Sequence, residues 1–241
     1  MEQAPHIRSA FDDDLRNISA RIAEMGGLAE EQLTQAIEAM ALRDSELAAE
    51  IVRADKRLDN MEVALEKAAI EVMALRQPMA SDLREVVAAL KIASALERIG
   101  DLAKNVAKRT LVLNQSQPIK VMASIGRMGK QTQTLMTEAL DAYTVRDTAL
   151  AVSVWKRDVE IDEMHNSIFR ELITYMMEDP RTIGFCSQLL FVVKNLERIG
   201  DHTTFIAEMT YFVATGKPLG DDRPKSNEWD DISQTDLGDQ G

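Results

Sequence analysis

Four pairs of carboxylate side chains, each with a spacing of four residues, occupy matching positions in the two halves of this sequence. Two of the pairs belong to a hexapeptide, LERIGD, that occurs at residues 96–101 and again at residues 196–201. The eight side chains are those of Asp55, Asp59, Glu97, Asp101, Asp158, Asp162, Glu197 and Asp201. A spacing of four places both members of a pair on one helix face, where like charges repel by a few tenths of a kcal/mol. The pattern indicates that something neutralises these charges.

The pairs are predicted to meet within helical hairpins. Asp59 and Glu97 are equidistant from the proline of the RQPM segment, and so are Asp55 and Asp101. The two pairs of the second half are likewise equidistant from the EDPR segment. Residues equidistant from the turn of an antiparallel hairpin lie at the same height because both helices rise by the same amount per residue. Each half should therefore gather four carboxylates on two successive helical turns.

Clustered carboxylate oxygens suit hard cations such as Mg, Mn, Ca or ferric iron, so we predict a metal site in each half. Asn105 adds an oxygen one turn after Asp101, whereas the second half has Phe205 at that place, which leaves the second site one ligand short. Glu62 and His165 occupy equivalent positions in the two halves and are additional candidate ligands. Gly100 and Gly200 each destabilise a helix interior by about 1 kcal/mol relative to Ala, and their recurrence predicts a close approach of two helices.

Other interpretations of the acidic pattern stay open. The acids could form a metal-independent scaffold that docks basic surfaces of partner proteins. A di-metal carboxylate oxidoreductase is a further alternative, but that chemistry usually takes a Glu-x-x-His from each of two helices, and this chain has only Asp162-x-x-His165. Nucleophilic catalysis is poorly supported, because the three histidines have no evident Ser or Cys partner and the sequence has no glycine-rich phosphate loop.

The elements that must position these acids repeat along the chain. Residues 41–61 match residues 144–164, and Met25-Gly26 matches Met128-Gly129 at the same offset. Apolar residues recur at helical spacing in both units. Breaks at LRDS and RQPMASD divide the first unit into helices at about 11–42, 44–76 and 81–113, with Ser81 as an N-cap, and VRDT and MEDPRTIG divide the second unit alike.

The predicted fold class is therefore all-α, with two tandem pseudo-symmetric three-helix bundles at residues 7–115 and 118–215. Residues 216–241 read as an acidic, disordered tail in which Trp229 is a candidate docking residue. The formal net charge of −12 disfavours nucleic acid as a partner. No apolar run approaches the roughly 18 residues of a membrane span, and Cys186 lies in an apolar context, so we expect a cytoplasmic protein with a buried thiol.

The two LERIGD segments, within residues 78–109 and 189–208, and the aspartate pairs that precede them resemble the PhoU family. This family regulates phosphate uptake and phosphate signalling in bacteria. The resemblance spans about residues 7–215. It implies two three-helix bundles side by side, often in a homodimer, with metal clusters at the E(D)xxxD motifs on the bundle surface. The implied ligands are the eight carboxylates together with Asn105, and the implied metals are divalent or trivalent ions such as Mg, Mn, Fe or Zn.

The resemblance also implies a function. Proteins of this family are regulators rather than enzymes, and they work at the inner face of the membrane, to which their partners recruit them. They restrain the ATPase and permease of the phosphate ABC transporter. They also hold the sensor histidine kinase of the phosphate regulon in a repressing state when phosphate is plentiful. We therefore expect a cytoplasmic negative regulator that neither binds nucleic acid nor inserts into the membrane.

Overall fold

A computed structural model describes the backbone of residues 4–54 and 56–220 and the side chains from Phe11 onward in those ranges. Regular structure there is entirely helical, which confirms the all-α prediction. The helices are α1 (Ala4–Leu42), α2 (Ser45–Ala54), α3 (Lys56–Arg76), α4 (Ser81–Leu113), α5 (Met122–Val145), α6 (Thr148–Glu178) and α7 (Ile183–Thr215), with one 3-10 turn at Pro180–Thr182. The predicted ligand Asp55 and residues 221–241 of the predicted tail lie outside the described residues.

The connection from α1 to α2 and the connection from α5 to α6 have the same two-residue structure. Arg43 and Arg146 adopt left-handed backbone conformations, with φ of 57° and 55°. The following Asp44 accepts two backbone N–H bonds at 2.9 and 3.0 Å through Oδ1, and Asp147 does the same at 2.9 and 3.0 Å. Each carboxylate thus satisfies amides that the first turn of a helix leaves without partners. The breaks predicted at LRDS and VRDT are confirmed.

The predicted N-cap of α4 is wrong. Ser81 is the first helical residue, and the capping position belongs to Ala80, which has a φ of 50° and offers no side-chain acceptor. The Ser81 hydroxyl donates instead to Oδ1 of Asp82, at 3.2 Å. The helix nevertheless begins at the predicted residue, and the reversal before it, where Gln77 also has a positive φ of 49°, leaves Ala80 at the capping position.

The helices form two bundles, α1 to α4 and α5 to α7, around one continuous apolar core. The helix predicted at 44–76 is described as two segments, α2 and α3, on either side of residue 55, which is not among the described residues. The longest contact between the bundles joins α4 to α7, which run antiparallel. Arg109 near the end of α4 donates to Gln188 near the start of α7, at 2.8 Å. At the opposite end, the guanidinium carbon of Arg84 lies 3.3 Å from the place that a Cβ on Gly216 would take. The two LERIGD segments therefore lie beside each other and point in opposite directions.

A second contact between the bundles, α1 against α5, repeats the same symmetry. A Cβ on Gly26 would lie 2.8 Å from Cδ2 of Leu140, and a Cβ on Gly129 would lie 3.0 Å from Cγ1 of Ile37. The two contacts are equivalent under the sequence repeat, since Gly26 matches Gly129 and Ile37 matches Leu140. The repeated Met-Gly pair thus marks the interface of two bundles related by a pseudo-two-fold axis.

Two smaller observations complete the fold. Cys186 is fully buried in α7, as its apolar context predicts. Among the described helices, none combines the length and the apolar composition that a membrane crossing requires.

Candidate functional site

The first acidic cluster, comprising Asp59, Glu62, Glu97 and Asp101, lies where α3 meets α4. Burial raises the pKa of Glu97, whose side chain is 14% exposed, and the charge of Asp101 raises it further. The charges of Glu62 and Asp59, on α3, also raise this pKa. Carboxylates of α3 and α4 are thus close enough to act on one another.

Basic side chains compensate part of this negative charge. The Lys104 Nζ lies 2.5 Å from Oδ1 of Asp101. Arg98 is more distant, with nitrogens 3.7 Å from Glu97 Oε2 and 3.9 Å from Asp101 Oδ2. We did not predict Lys104 as part of the site. Its position three residues after Asp101, on the same helix face, was the signal that could have identified it.

The second acidic cluster, comprising Asp158, Asp162, Glu197 and Asp201, lies between α6 and α7. Asp158 is 1% exposed and accepts a hydrogen bond of 3.0 Å from the hydroxyl of Thr204. The Lys194 Nζ lies 2.7 Å from Oε2 of Glu197, again at a spacing of three residues. One aspartate of this cluster is thus buried between two helices, and one glutamate already has a cationic partner.

The two LERIGD glycines allow this close helix packing. A Cβ on Gly100 would collide with Cδ1 of Leu58 and would lie 2.8 Å from Oε1 of Gln32. A Cβ on Gly200 would lie 3.3 Å from Oδ1 of Asp158 and 3.3 Å from Cγ2 of Ile161, the repeat equivalent of Leu58. The predicted close approach is confirmed in both bundles.

Gln32 brings a polar group from α1 to the base of the first cluster, which sequence reasoning missed. Its side chain is 4% exposed, and its Oε1 accepts no hydrogen bond within the described part of the chain. That oxygen points towards Gly100, next to Asp101 in the sequence. A buried acceptor without a donor destabilises a fold by about 1 to 3 kcal/mol, so a cation or a water held at the cluster would stabilise this arrangement.

The further candidate ligands His165 and Asn105 lie on α6 and α4. His165 Nδ1 is 3.3 Å from Oδ1 of Asn166, and its ring stacks on Phe169 with centroids 6.4 Å apart. Asn105 is half-buried on α4, one turn beyond Asp101, whereas Phe205 packs against the core.

The side chains of the two clusters have the ligand atoms that a hard cation prefers, but the described side chains do not converge on one point. Both clusters offer carboxylate oxygens, which Mg, Mn, Ca and ferric iron prefer. Over residues 4–54 and 56–220, however, no three His, Cys, Asp or Glu side chains converge closely enough to hold one metal ion. Asp55, the fourth predicted ligand of the first site, lies outside those ranges. Metal binding therefore stays a prediction.

Basic side chains also meet where α4 packs against α7. Burial lowers the pKa of His202, and the charges of Arg198 and Arg98 lower it further, whereas Asp201 raises it. Arginines from both LERIGD segments are thus close to the same histidine. The antiparallel packing of α4 and α7 thus brings basic side chains of both helices together.

A family model described as the PhoU domain matches residues 22–110 and 125–210. This chain belongs to the PhoU family. Each matched segment contains one LERIGD hexapeptide and one of the acidic clusters, so the PhoU domain occurs twice, once in each bundle.

Relatives in the PhoU family cover nearly the whole chain. A protein of Caulobacter vibrioides named "Phosphate-specific transport system accessory protein PhoU homolog" is 51% identical over 221 residues, covering 91% of this chain and 96% of the relative. The homolog of that name in Rhizobium meliloti is 46% identical over 231 residues, covering 95% and 96%. The crystal structure of PhoU from Pseudomonas aeruginosa has a TM-score of 0.84 at 36% identity, covering 86% of this chain and 100% of that chain.

Proposed function

We propose that this chain is a cytoplasmic negative regulator of phosphate uptake and of phosphate-responsive signalling. Support comes from its membership of the PhoU family and from relatives that are named accessory proteins of the phosphate-specific transport system. The chain would connect the ATPase and permease of the phosphate ABC transporter to the sensor histidine kinase, as a homodimer recruited to the inner face of the membrane. It would act by binding rather than by catalysis.

The proposal includes metal ions at both acidic clusters. The observation that carries it is that Glu97, a half-buried side chain between α3 and α4, lies close to carboxylates of both helices, which together with partial burial raise its pKa. Asp55, Asp59, Glu97, Asp101 and Asn105 would hold the first ion or ions, with Glu62 beside them. Asp158, Asp162, Glu197 and Asp201 would hold the second, with His165 beside them. Bound metal would supply the positive charge that the clustered carboxylates lack.

Metal binding would change the ion pairs of two lysines. Lys104 and Lys194 each neutralise one carboxylate of a cluster, and a cation that takes that oxygen would release the ammonium group. Metal binding would therefore alter the charge pattern of a surface that partners can contact. This coupling gives the two clusters a regulatory role that needs no reaction step.

A chelation experiment tests metal binding. The native protein, purified without chelator, is analysed for metal content and melted before and after chelation. It is compared with a variant carrying Asp55→Asn, Asp59→Asn, Glu97→Gln and Asp101→Asn. We expect the native protein to contain metal, to melt lower after chelation, and the variant to lose about half of the metal.

A matched control removes the same number of charges elsewhere. Glu50, Glu66, Glu71 and Glu178 are exposed acids outside both clusters, and changing all four to Gln should leave the metal content unchanged. If the native protein holds no metal and chelation leaves its melting temperature unaltered, the metal part of the proposal is wrong.

A metal-independent acidic scaffold is the second candidate function. The ion pairs of Lys104 and Lys194 favour it, since they show that protein side chains alone neutralise part of each cluster. On this reading the cluster variant melts higher than the native chain because it has lost like-charge repulsion. Partner binding would then resist chelation, whereas the metal-dependent adaptor would lose it.

Regulation itself is tested in the source bacterium. Deleting the gene should raise phosphate uptake and the expression of a phosphate-starvation reporter in phosphate-rich medium. The full chain should restore repression, and the control variant with four altered surface acids should restore it equally. Unchanged uptake and unchanged reporter expression after deletion would contradict the proposed function, whatever the metal content of the protein.

A further inference from the structure

A basic groove interrupts the surface of this acidic protein. It lies between α4 and α7, has a volume of about 420 Å³, and is lined by Lys91, Ser94, Ala95, Arg98, His202 and Phe205. Lys91 and Arg98 are exposed, and Phe205 forms part of the wall. The whole chain has a net charge of −12. A cationic groove with an aromatic wall on such a molecule fits an acidic segment that carries an aromatic side chain.

The groove continues a basic stripe along α4. Arg84, Lys91 and Arg98 follow one another at intervals of seven residues, so they lie on the same face of the helix, about 10 Å apart. The stripe begins at Arg84, beside Gly216, where α7 ends. A chain that leaves α7 at Gly216 therefore starts at one end of the stripe, and the groove lies along it.

The sequence after α7 has the matching chemistry. Residues 226–241 contain five acidic side chains and no basic one, namely Glu228, Asp230, Asp231, Asp236 and Asp239, and they include Trp229. An extended chain spans roughly 3.3 Å per residue, so the segment from Gly216 to Trp229 can reach about 40 Å. The distance along α4 from Arg84 to Arg98 is only about 20 Å. The segment is thus long enough to bring Trp229 back to the groove.

We propose that residues 226–239 dock in this groove, with Trp229 against Phe205 and Ala95 and with the acidic side chains beside Lys91 and Arg98. The attachment of the segment to α7 keeps its local concentration near the groove high, so weak contacts suffice for docking. The docked segment covers the groove between α4 and α7. A partner that binds this surface must first displace it.

Fluorine NMR of the full chain labelled with 5-fluorotryptophan tests the proposal. The chain has two tryptophans, and Trp229→Phe identifies the resonance of Trp229. A soluble nitroxide broadens the resonance of an exposed indole. We expect the Trp229 resonance of the native chain to be broadened less than that of a synthetic peptide with residues 221–241. Raising the salt to about 1 M, where the Debye length is about 3 Å, should remove this protection.

Two groove variants should also remove it. Lys91→Glu with Arg98→Glu reverses the charge of the groove, and Phe205→Asn removes its aromatic wall; in both, the broadening should rise to that of the free peptide. The control pair Lys67→Glu and Lys156→Glu changes exposed lysines on α3 and α6 and should keep the native protection. Thermal melts verify that each variant is folded.

Two outcomes would overturn the proposal. The first is a Trp229 resonance in the native chain that is broadened as strongly as in the free peptide. The second is protection that falls on dilution, because the segment then occupies a groove on another copy of the chain. Protection that is independent of concentration and lost in both groove variants supports docking within one molecule.

Discussion

Single side chains make the two acidic clusters different. Lys104 pairs with Asp101 in the first cluster, and the repeat has Thr204 at that place, where its hydroxyl donates to the buried Asp158. Lys194 pairs with Glu197 in the second cluster, where the first repeat has Ser94. Each cluster is thus partly neutralised from a different position. If metal binds, the two sites should differ in affinity.

The stability of the protein should depend on pH through the ionisation of Tyr143. Tyr143 lines a cavity of about 320 Å³ together with Ser19 and Glu85. Burial raises the pKa of Tyr143 to about 12, and the charge of Glu85 adds to the effect. Because the folded-state pKa lies above the unfolded value of 10.0, the resulting stability is present below pH 10 and is lost as the pH rises towards 12.

Denaturant unfolding over this pH range measures the effect. We expect the free energy of unfolding of the native chain to fall faster with pH than that of Tyr143→Phe, which has no phenol to ionise. Absorbance of the phenolate should show one tyrosine titrating late. Parallel stability curves for the two proteins would refute the assignment.

Helix boundaries were predictable from the sequence where a capping side chain sets them. The breaks before α2 and α6 were predicted because Asp44 and Asp147 carry their own capping acceptors. The N-cap of α4 was predicted wrongly because Ser81 has a suitable side chain but the turn before it makes Ser81 the first helical residue. The proximity of carboxylates from α3 and α4 was predictable, because it follows from the register of the hairpin alone.

Other parts of the site depend on packing that spacing does not determine. The burial of Asp158 reflects how closely α6 approaches α7 at Gly200. The basic groove exists because α4 and α7 run antiparallel, and the repeat by itself does not decide between parallel and antiparallel packing. Gln32 comes from a third helix, α1, whose rotation about its own axis is fixed only in the assembled bundle.

A glycine pair tests the close approach of α3 and α4. Gly27 has no atom within 4 Å of the place of a Cβ, so Gly27→Ala should stabilise the protein by up to about 1 kcal/mol through helix propensity. Gly100→Ala gains the same propensity but pushes against Leu58 and Gln32, and overpacking costs roughly 1 to 3 kcal/mol. We expect a net loss of about 1 kcal/mol for Gly100→Ala. Urea unfolding measures both effects. Equal stabilisation by the two changes would show that Leu58 and Gln32 move aside without a cost in free energy.

At the scale of the whole molecule, one apolar core joins the two bundles. Contacts of α1 with α5 and of α4 with α7 link the halves along their length. The family match covers both halves as separate segments, yet the buried apolar residues of the two bundles form one continuous core. We therefore expect the native chain to unfold in one cooperative transition, with a van't Hoff enthalpy close to the calorimetric enthalpy.

Disrupting the bundle interface should weaken this cooperativity. Gly129→Leu drives a side chain into Ile37 of the other bundle and should lower the free energy of unfolding by about 2 kcal/mol, with a van't Hoff enthalpy that falls below the calorimetric value. Gly126→Leu, three residues earlier on α5, enters open space and is the matched control. Calorimetric scans that are alike for the two variants would mean that the interface does not couple the bundles.

The pseudo-two-fold axis has a consequence for how the two halves can change. The contacts Gly26 with Leu140 and Gly129 with Ile37 are those of an isologous dimer whose subunits have been joined into one polypeptide. In a true homodimer, every substitution appears on both sides of the axis. Here each half can change by itself. The first half therefore has the polar Asn105 where the second half has the apolar Phe205, and the contacts between the bundles are the same on both sides of the axis. Fusion of the two halves thus permits one cluster to specialise without altering the other.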